Sequence, residues 1–472
     1  MNARRQLPLL ESRPIRMDDR DEEFLRTFTK ALSEGPVAPS DPRYVPVFTS
    51  DDDAEDDPIR LLARMIRFAD KGESVQLFSG YIGSGKSTQL LRLKSDLEQS
   101  GFFVLRFDIE DYLSLSTPVD ISDFLICLAG AVGEQLERTG IVAPESFWSR
   151  AGAFLQELRV EIPEVSAAPK ATTKTASGEL GAELGLGLKL NIRRNPGFRT
   201  LLQRTMEGHL ASLVTQASAY FAECVQAIRA HTRAPNKQVV LLVDSIEHIR
   251  GTYSNEADVR KSIENLFAVQ SEKLRLASIH VVYTVHPYLR FRLPTLTTTF
   301  DSNIYTLPVI KVRERSGAPY PPGIRLIREM VSARGDWARL LGHDNESLDR
   351  IIQLSGGYLR DLFGVLRDII LRAKKLPVSA RVVDKAIAQR RSEYLPIADD
   401  DALWLDKIAE LHGPALPTKD HLLPFANLIE QNRVFCYQNG EEWFDIHPLI
   451  RDHVREQAAK IRAAATPPAS KS

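Results

Sequence analysis

The chain reads as an α/β protein: a parallel sheet of about five strands sandwiched by helices, then a helical segment, then a C-terminal unit closed by a hairpin. Three observations predict this. Between Val75 and Leu113 an apolar strand (VQLFS), a glycine loop, an amphipathic helix (STQLLRLKSDLEQSG) and a second apolar strand (FFVLRFD) follow one another, which is a βαβ unit. Three later runs, Val239 to Val243, Ile279 to Thr284 and Ile304 to Ile310, have the continuous apolar character of strands buried on both faces. Near the C-terminus, Val434-Phe435-Cys436-Tyr437 and Trp443-Phe444-Asp445-Ile446 flank Gln438-Asn439-Gly440, and an Asn-Gly turn between short strands predicts a β-hairpin.

In chain order, residues 1–45 are polar and rich in Pro and charge, and read as an N-terminal extension. The acidic run Ser50 to Asp57, before Pro58, reads as a solvated loop or helix start. A core then spans 46–312, with an insertion at about 147–232 that a minimal βα layout does not need. Inside it, the segment SAAPKATTKTAS has the composition of a mobile loop. Leu180, Leu184, Leu186, Leu188, Leu190 and Ile192 then alternate with other residues, which predicts a strand or hairpin. Leu202, Met206, Leu210, Leu213, Ala217, Phe221, Cys224 and Ile228 recur three or four apart, predicting one long helix from Phe198 to about His231. A helical segment at 313–376, ending in LSGGYLRDLFGVLRDIILRA, leads to helices and the hairpin at 377–462, which together spell a winged helix. The tail at 463–472 is disordered by composition.

A length of 472 residues suggests about three domains. Lys plus Arg (61) balances Asp plus Glu (62), so no bulk positive field draws the chain to nucleic acid or anionic lipid. Cys127, Cys224 and Cys436 lie far apart and fit neither a metal spacing nor a disulfide framework; they read as core residues of a cytoplasmic protein. The N-terminus resembles neither a signal peptide nor an anchor, and no stretch is apolar and long enough to span a membrane.

The chemistry concentrates at Gly80-Tyr81-Ile82-Gly83-Ser84-Gly85-Lys86-Ser87. Gly80, Gly83 and Gly85 let the backbone curl so that successive N–H groups, with Ser84 and Thr88 among the contacts, point at phosphates, and the following helix adds its positive end. Lys86 supplies a point charge for the β and γ phosphates and Ser87 a ligand for Mg²⁺, so the expected cofactors are ATP and Mg²⁺. The strand VVLLVD ends in Asp244, expected to hold the metal through water, and Glu247 is the candidate base for the attacking water. Thr284 ends the next strand, where a small hydroxyl can sense the γ-phosphate or the water; a strand-ending threonine with no task is the alternative. Ser355-Gly356-Gly357-Tyr358-Leu359-Arg360 places Arg360 at a helix start, either pointing back toward the nucleotide or as a plain solvated helix charge.

Taken together, this loop, the Asp244 strand, the Thr284 strand end, the Gly-Gly-x-x-Arg element and the downstream winged helix resemble the AAA+ and STAND-related ATPases. The layout is similar to archaeal replication initiators and NACHT-like signalling ATPases. The resemblance implies a P-loop ATPase whose Arg360 reports ATP against ADP from a helical lid, and a sheet in which the Asp244 strand flanks the loop strand at one remove. Two departures stand out. Asp244-Ser245-Ile246-Glu247 puts the acid at plus three rather than adjacent, and PTLTTTF has no arginine where a trans-acting one is often found, leaving Arg290 and Arg292 as substitutes or plain surface charges.

Three functions follow as expectations: an ATP-hydrolysing switch acting on a protein partner or by self-association, a DNA-binding initiator or loader, and a STAND-like sensor with little turnover. The second is not favoured. TKDHLLPFANLIEQN carries few basic residues and the wing has Glu441, Glu442 and Asp445, whereas phosphate contacts need Lys and Arg. His286-Pro287 and His447-Pro448 read as turn and packing residues, not ligands.

Overall fold

The computed structural model describes residues 17–33, 35–48, 55–142, 144–163, 176–439 and 441–465. The start of the N-terminal extension, most of the acidic run, nearly all of the SAAPKATTKTAS segment, Gly440 of the hairpin turn and most of the tail lie outside them.

Five strands form one parallel sheet: β1 (Ser74–Gly80), β2 (Phe103–Asp108), β3 (Val239–Asp244), β4 (Ile279–Val285) and β5 (Ile304–Leu307), in the order β2-β3-β4-β1-β5. The Asp244 strand thus sits one strand away from the loop strand, as the resemblance implied. β5 stops at Leu307 rather than at 310, because Pro308 has no N–H for the ladder. Period-two alternation sends Leu77, Leu105, Leu241 and Val281 to one core and Phe78, Val104, Val240 and Val282 to another. Helices Pro58–Phe68 and Lys86–Gln99 cover the second face. Helices Ile121–Arg138, Leu210–Thr232 and Glu256–Ala268 cover the first. This is an α/β fold, a parallel five-stranded sheet sandwiched by helices.

The insertion differs from expectation in two places. Residues 176–194 form a helix, Ala176–Arg194, not a strand or hairpin. Every second leucine is also compatible with a helix when positions four apart coincide: Leu188 and Ile192 are buried while Leu186 is exposed. The interleaved glycines serve helix packing, since a Cβ on Gly185 would lie 2.8 Å from the Trp148 Cβ on the neighbouring helix Phe147–Glu157. The expected long helix is two, Pro196–Glu207 and Leu210–Thr232, parted at Gly208 and His209. The second buries Leu213, Tyr220, Phe221 and Ile228 in the same core as the sheet, so it acts as cover.

A helical unit follows, with helices Pro321–Ser332, Glu346–Ser355 and Leu359–Arg372. Two segments from outside 313–376 share its core: helix Asp19–Ala31 contributes Leu25 and Phe28, and helix Ala380–Ser392 contributes Val383 and Ile387. The C-terminal unit comprises helices Asp399–Leu411, Leu422–Glu430 and Arg451–Ala465 with an antiparallel hairpin, β6 (Val434–Asn439) and β7 (Glu441–Ile446). Its core takes in Tyr81, from the glycine loop, beside Phe435 and Tyr358. Cys127, Cys224 and Cys436 are buried free thiols. Among the described residues no helix is long and apolar enough to cross a membrane.

Candidate nucleotide site

The glycine loop joins β1 to helix Lys86–Gln99 and bends through left-handed φ at Gly83 (84°) and Gly85 (101°). A side chain is excluded twice over at Gly83, where a Cβ would stand 2.7 Å from Arg360 Nε. No side chain caps the helix start, so its first N–H groups and its dipole are left for an anion. The loop borders a cavity of about 170 Å³ that also receives Ser87, Thr88, Glu247, Arg334 and Arg360. Pro36, Val37, Leu359 and Phe363 add apolar lining. Thr88 Oγ1 accepts from Val37 N at 3.1 Å, which ties the N-terminal extension into this wall.

Lys86 is 4% exposed and its ammonium donates to Gly80 O (3.0 Å) and Tyr81 O (2.8 Å) and pairs with Glu247 Oε1 (2.8 Å). An ammonium has three protons, and all three are engaged. Glu247 is 2% exposed and its other oxygen, Oε2, is buried without a partner. Burial opposes its charge, but Lys86, His248 and the Thr284 hydroxyl outweigh burial and hold the carboxyl down to about 2. Thr284 is fully buried and does not line the cavity; its Oγ1 accepts from Ile246 N at 3.1 Å, so it positions the Glu247 turn.

Asp244 is fully buried, accepting from Arg106 Nη2 (2.5 Å) through Oδ2 and from Ser245 N (2.9 Å) through Oδ1. Like Thr284, it does not line the cavity. Beside it in register stands Asp108, which accepts from Ser245 Oγ at 2.8 Å. Burial, offset by hydrogen bonds from Glu110 N and Ser245, raises the Asp108 carboxyl to about 6. Sequence reasoning missed Asp108 as a site residue although FFVLRFD carries the same signal as VVLLVD: an apolar strand ending in Asp.

Arg360 lies against Gly83 at the cavity wall, at the first turn of helix Leu359–Arg372. A second arginine, Arg334, faces the same cavity. Its Nη1 donates to Met330 O (2.8 Å) and Arg43 O (3.2 Å), its guanidinium sits 4.6 Å from the Phe363 ring centre, and its Nε is buried without a partner. Burial and nearby Arg43 lower it to about 10. Nothing in SARGDW distinguishes Arg334 from a surface charge; folding alone brings it here.

Arg290 and Arg292, the substitutes for a trans-acting arginine, are paired within the chain. Arg290 pairs with Glu442 of the hairpin, and Arg292 with Glu264 at 3.1 Å.

The loop is also wired to both other units. Tyr81 is 3% exposed, and its phenolic oxygen accepts from Cys436 N of β6 at 2.6 Å. The Tyr358 hydroxyl donates to Ile82 O, and Tyr437 OH donates to Gly356 O at 2.8 Å. His447 is fully buried, with Nδ1 accepting from Leu449 N (3.1 Å), so its Nε2–H donates to Asp361 Oδ2 (2.9 Å) next to Arg360.

The donor set fits a nucleoside triphosphate: an uncapped helix start, a buried ammonium, two arginines and some apolar lining. Of the residues expected to hold Mg²⁺, Ser87 lines the cavity; Asp244 and Asp108 stand at the ends of neighbouring strands and do not line it.

No family model and no curated protein matches the chain. Among solved structures it is similar to the ORC2 protein of Aeropyrum pernix in its ADPNP-ADP complexes, with 13% identity, 92% of this chain and 98% of that one covered, and a TM-score of 0.42. It is also similar to Cdc6p of Pyrobaculum aerophilum, with 12% identity, 92% and 98% coverage and a TM-score of 0.36. The Walker-type ATPase PABY2304 of Pyrococcus abyssi is similar at 11% identity, 90% and 99% coverage and a TM-score of 0.40.

Proposed function

We propose that this chain is an ATP-dependent switch that hydrolyses ATP and passes its nucleotide state to the helical and C-terminal units. The observation that carries the proposal is the position of Tyr81. Its carbonyl holds the Lys86 ammonium and its phenolic oxygen holds the Cys436 N–H of the hairpin, so one residue belongs to the phosphate loop and to the C-terminal core. Any shift of the loop around phosphate moves an anchor of the hairpin.

The chain's own residues support a sequence of steps. Bound Mg²⁺ and ATP would supply a phosphoanhydride and a metal charge at its β and γ oxygens. Lys86 has no unused proton, so it takes a phosphate oxygen by giving up one of its three partners, and exchange of one anion for another releases Glu247. That release leaves Glu247, already with one oxygen unpartnered, as an ionised carboxylate able to orient and deprotonate a water. Thr284 keeps the Glu247 turn in place through Ile246 N. Arg360 and Arg334 line the cavity from the helical unit, where they would read the phosphates. Asp244, or its neighbour in register Asp108, would hold Mg²⁺ through water.

The winged-helix reading of the C-terminal unit fits protein contact better than DNA. Helix Leu422–Glu430 buries Phe425, Leu428 and Ile429, and Glu430 turns toward the sheet unit. Asp445, counted as a wing acid, is internal and bound to Arg313 (3.0 Å) and Arg451 (2.5 Å). The reading is tested by ATP turnover in the wild type, Lys86→Ala and Glu247→Gln; equal rates in all three would sink it. Solution mass with ATP and with ADP tells whether the switch acts through self-association.

A further inference from the structure

Glu247 is 2% exposed, so a proton taken from water by its carboxylate has no direct route to bulk solvent. The next residue supplies one. His248 lines the same cavity, and its side chain is 30% exposed. Its Nε2 stands 4.0 Å from Glu247 Oε1, and its Nδ1 pairs with Oε1 of Glu110, whose side chain is 37% exposed. Exposure thus rises along the row from Glu247 through His248 to Glu110. The other titratable side chains lining the cavity, Lys86, Arg334 and Arg360, are cations and take no proton, which leaves His248 as the one base beside Glu247 on that lining.

Two short turns hold the row in place. Glu110 belongs to the turn Ile109–Asp111 after β2, and His248 to the turn Ile246–His248 after β3. Asp108 joins them: its Oδ1 accepts from Glu110 N at 3.0 Å and its Oδ2 from Ser245 Oγ at 2.8 Å, while His248 N donates to Ser245 O at 3.0 Å. An ionised carboxylate only accepts, so the proton of the His248 ring is on Nδ1, facing Glu110, and Nε2 turns a lone pair toward Glu247. A lone pair and a carboxylate have no proton to share, and their 4.0 Å separation is well beyond hydrogen-bond length. One proton on Glu247 supplies what the contact lacks.

We infer that His248 carries the proton of hydrolysis from Glu247 to solvent, with Glu110 holding the ring for the exchange. The inference rests on the role given to Glu247 in the switch reading. In the step, the water oxygen bonds to the γ phosphorus while the bond from that phosphorus to the bridging oxygen breaks, its electron pair leaving with ADP. One proton of the water passes to Glu247, and from Glu247 to His248 Nε2. The imidazolium, paired with Glu110, then gives a proton to solvent, and ring and carboxylate return to their starting states. His248 acts through Glu247 rather than on the nucleotide.

The test is ATP turnover by the full chain, wild type and variants, with and without dissolved imidazole. His248→Ala is expected to lower kcat by a factor on the order of 10–10², with the KM for ATP and the melting temperature retained. Imidazole, a proton carrier of the same chemistry, is expected to restore turnover to His248→Ala in a saturable way and to do nothing for Glu247→Gln. His248→Asn keeps an N–H for Glu110 but carries no proton, and is expected to be as slow as His248→Ala. Full turnover in either His248 variant, or a loss that imidazole does not restore, overturns the proposal and leaves Glu247 in its role. Equal rates in the wild type and Glu247→Gln overturn the switch reading and the relay together. A failure of the relay alone is told apart from this, because Glu247→Gln is then slow while the His248 variants are fast or beyond rescue.

Discussion

Lys86 and Glu247 form a buried pair whose partners are each other and the loop carbonyls, and the two side chains make opposite predictions when altered. Lys86→Ala removes the point charge for phosphate and leaves Glu247 buried without its cation, so nucleotide binding and turnover are both lost in a fluorescent-nucleotide titration and a phosphate-release assay. Glu247→Gln keeps the size and frees Lys86 from a charged competitor; ATP binding persists or tightens while turnover falls by a factor on the order of 10²–10⁴. A pH dependence belongs to Asp108. Its folded value of about 6 stands above the ordinary 3.8, so folding favours the protonated form. The stability it contributes is fully present below pH 3.8 and is lost as pH rises through about 6. Asp108→Asn should flatten the change in melting temperature across that window; an unaltered profile would show that another group sets it.

The elements explain which parts of the sequence were legible. Long apolar runs have one stable destination, between two layers of helices, and all five strands lie where such runs stand. The glycine loop was equally plain because its residue types serve local geometry: left-handed backbone at Gly83 and Gly85 and an uncapped helix start. Residues 176–194 were misread because alternating leucines with glycines satisfy a strand and a closely packed helix alike, and the deciding contact, Gly185 against Trp148, is made with a different helix. Gly185→Val is therefore predicted to push helix Ala176–Arg194 off helix Phe147–Glu157 and cost about 1–3 kcal/mol by overpacking. ATP binding should be unchanged, which chemical denaturation and a nucleotide titration together would check. Gly83→Ala, by contrast, strains a positive φ and drives into Arg360, so it should impair nucleotide binding with the sheet intact.

Across the whole molecule, three cores meet at the glycine loop. Tyr81 lies in the C-terminal core, Gly83 under Arg360 of the helical unit, and Lys86 beside Glu247 of the sheet unit. Tyr81→Phe removes only the acceptor for Cys436 N, leaving a buried donor unsatisfied at a cost of about 1–3 kcal/mol. Hydrogen exchange over residues 434–446 should then lose its response to ATP while ATP still binds; a response equal to the wild type would show that the hairpin takes its signal elsewhere. Acidic composition is likewise recast by the fold: Asp445 and Glu442, solvated wing charges in the linear chain, are counterions to Arg313, Arg451 and Arg290.

The boundary between what was readable and what was not follows the range of the interactions. Features set by near neighbours, the left-handed turns of the glycine loop and the Gly-Gly pair that ends one helix before the next, announce themselves in the linear chain because backbone geometry constrains the residue types there. Residues whose role depends on a distant partner do not. Arg334 looks like any arginine until burial beside Phe363 brings it to the cavity. Asp108 gains its raised carboxyl only where packing buries it beside Asp244, and Tyr81 its link only where β6 arrives. Desolvation and long-range hydrogen bonds belong to the packed state, and no local pattern encodes them.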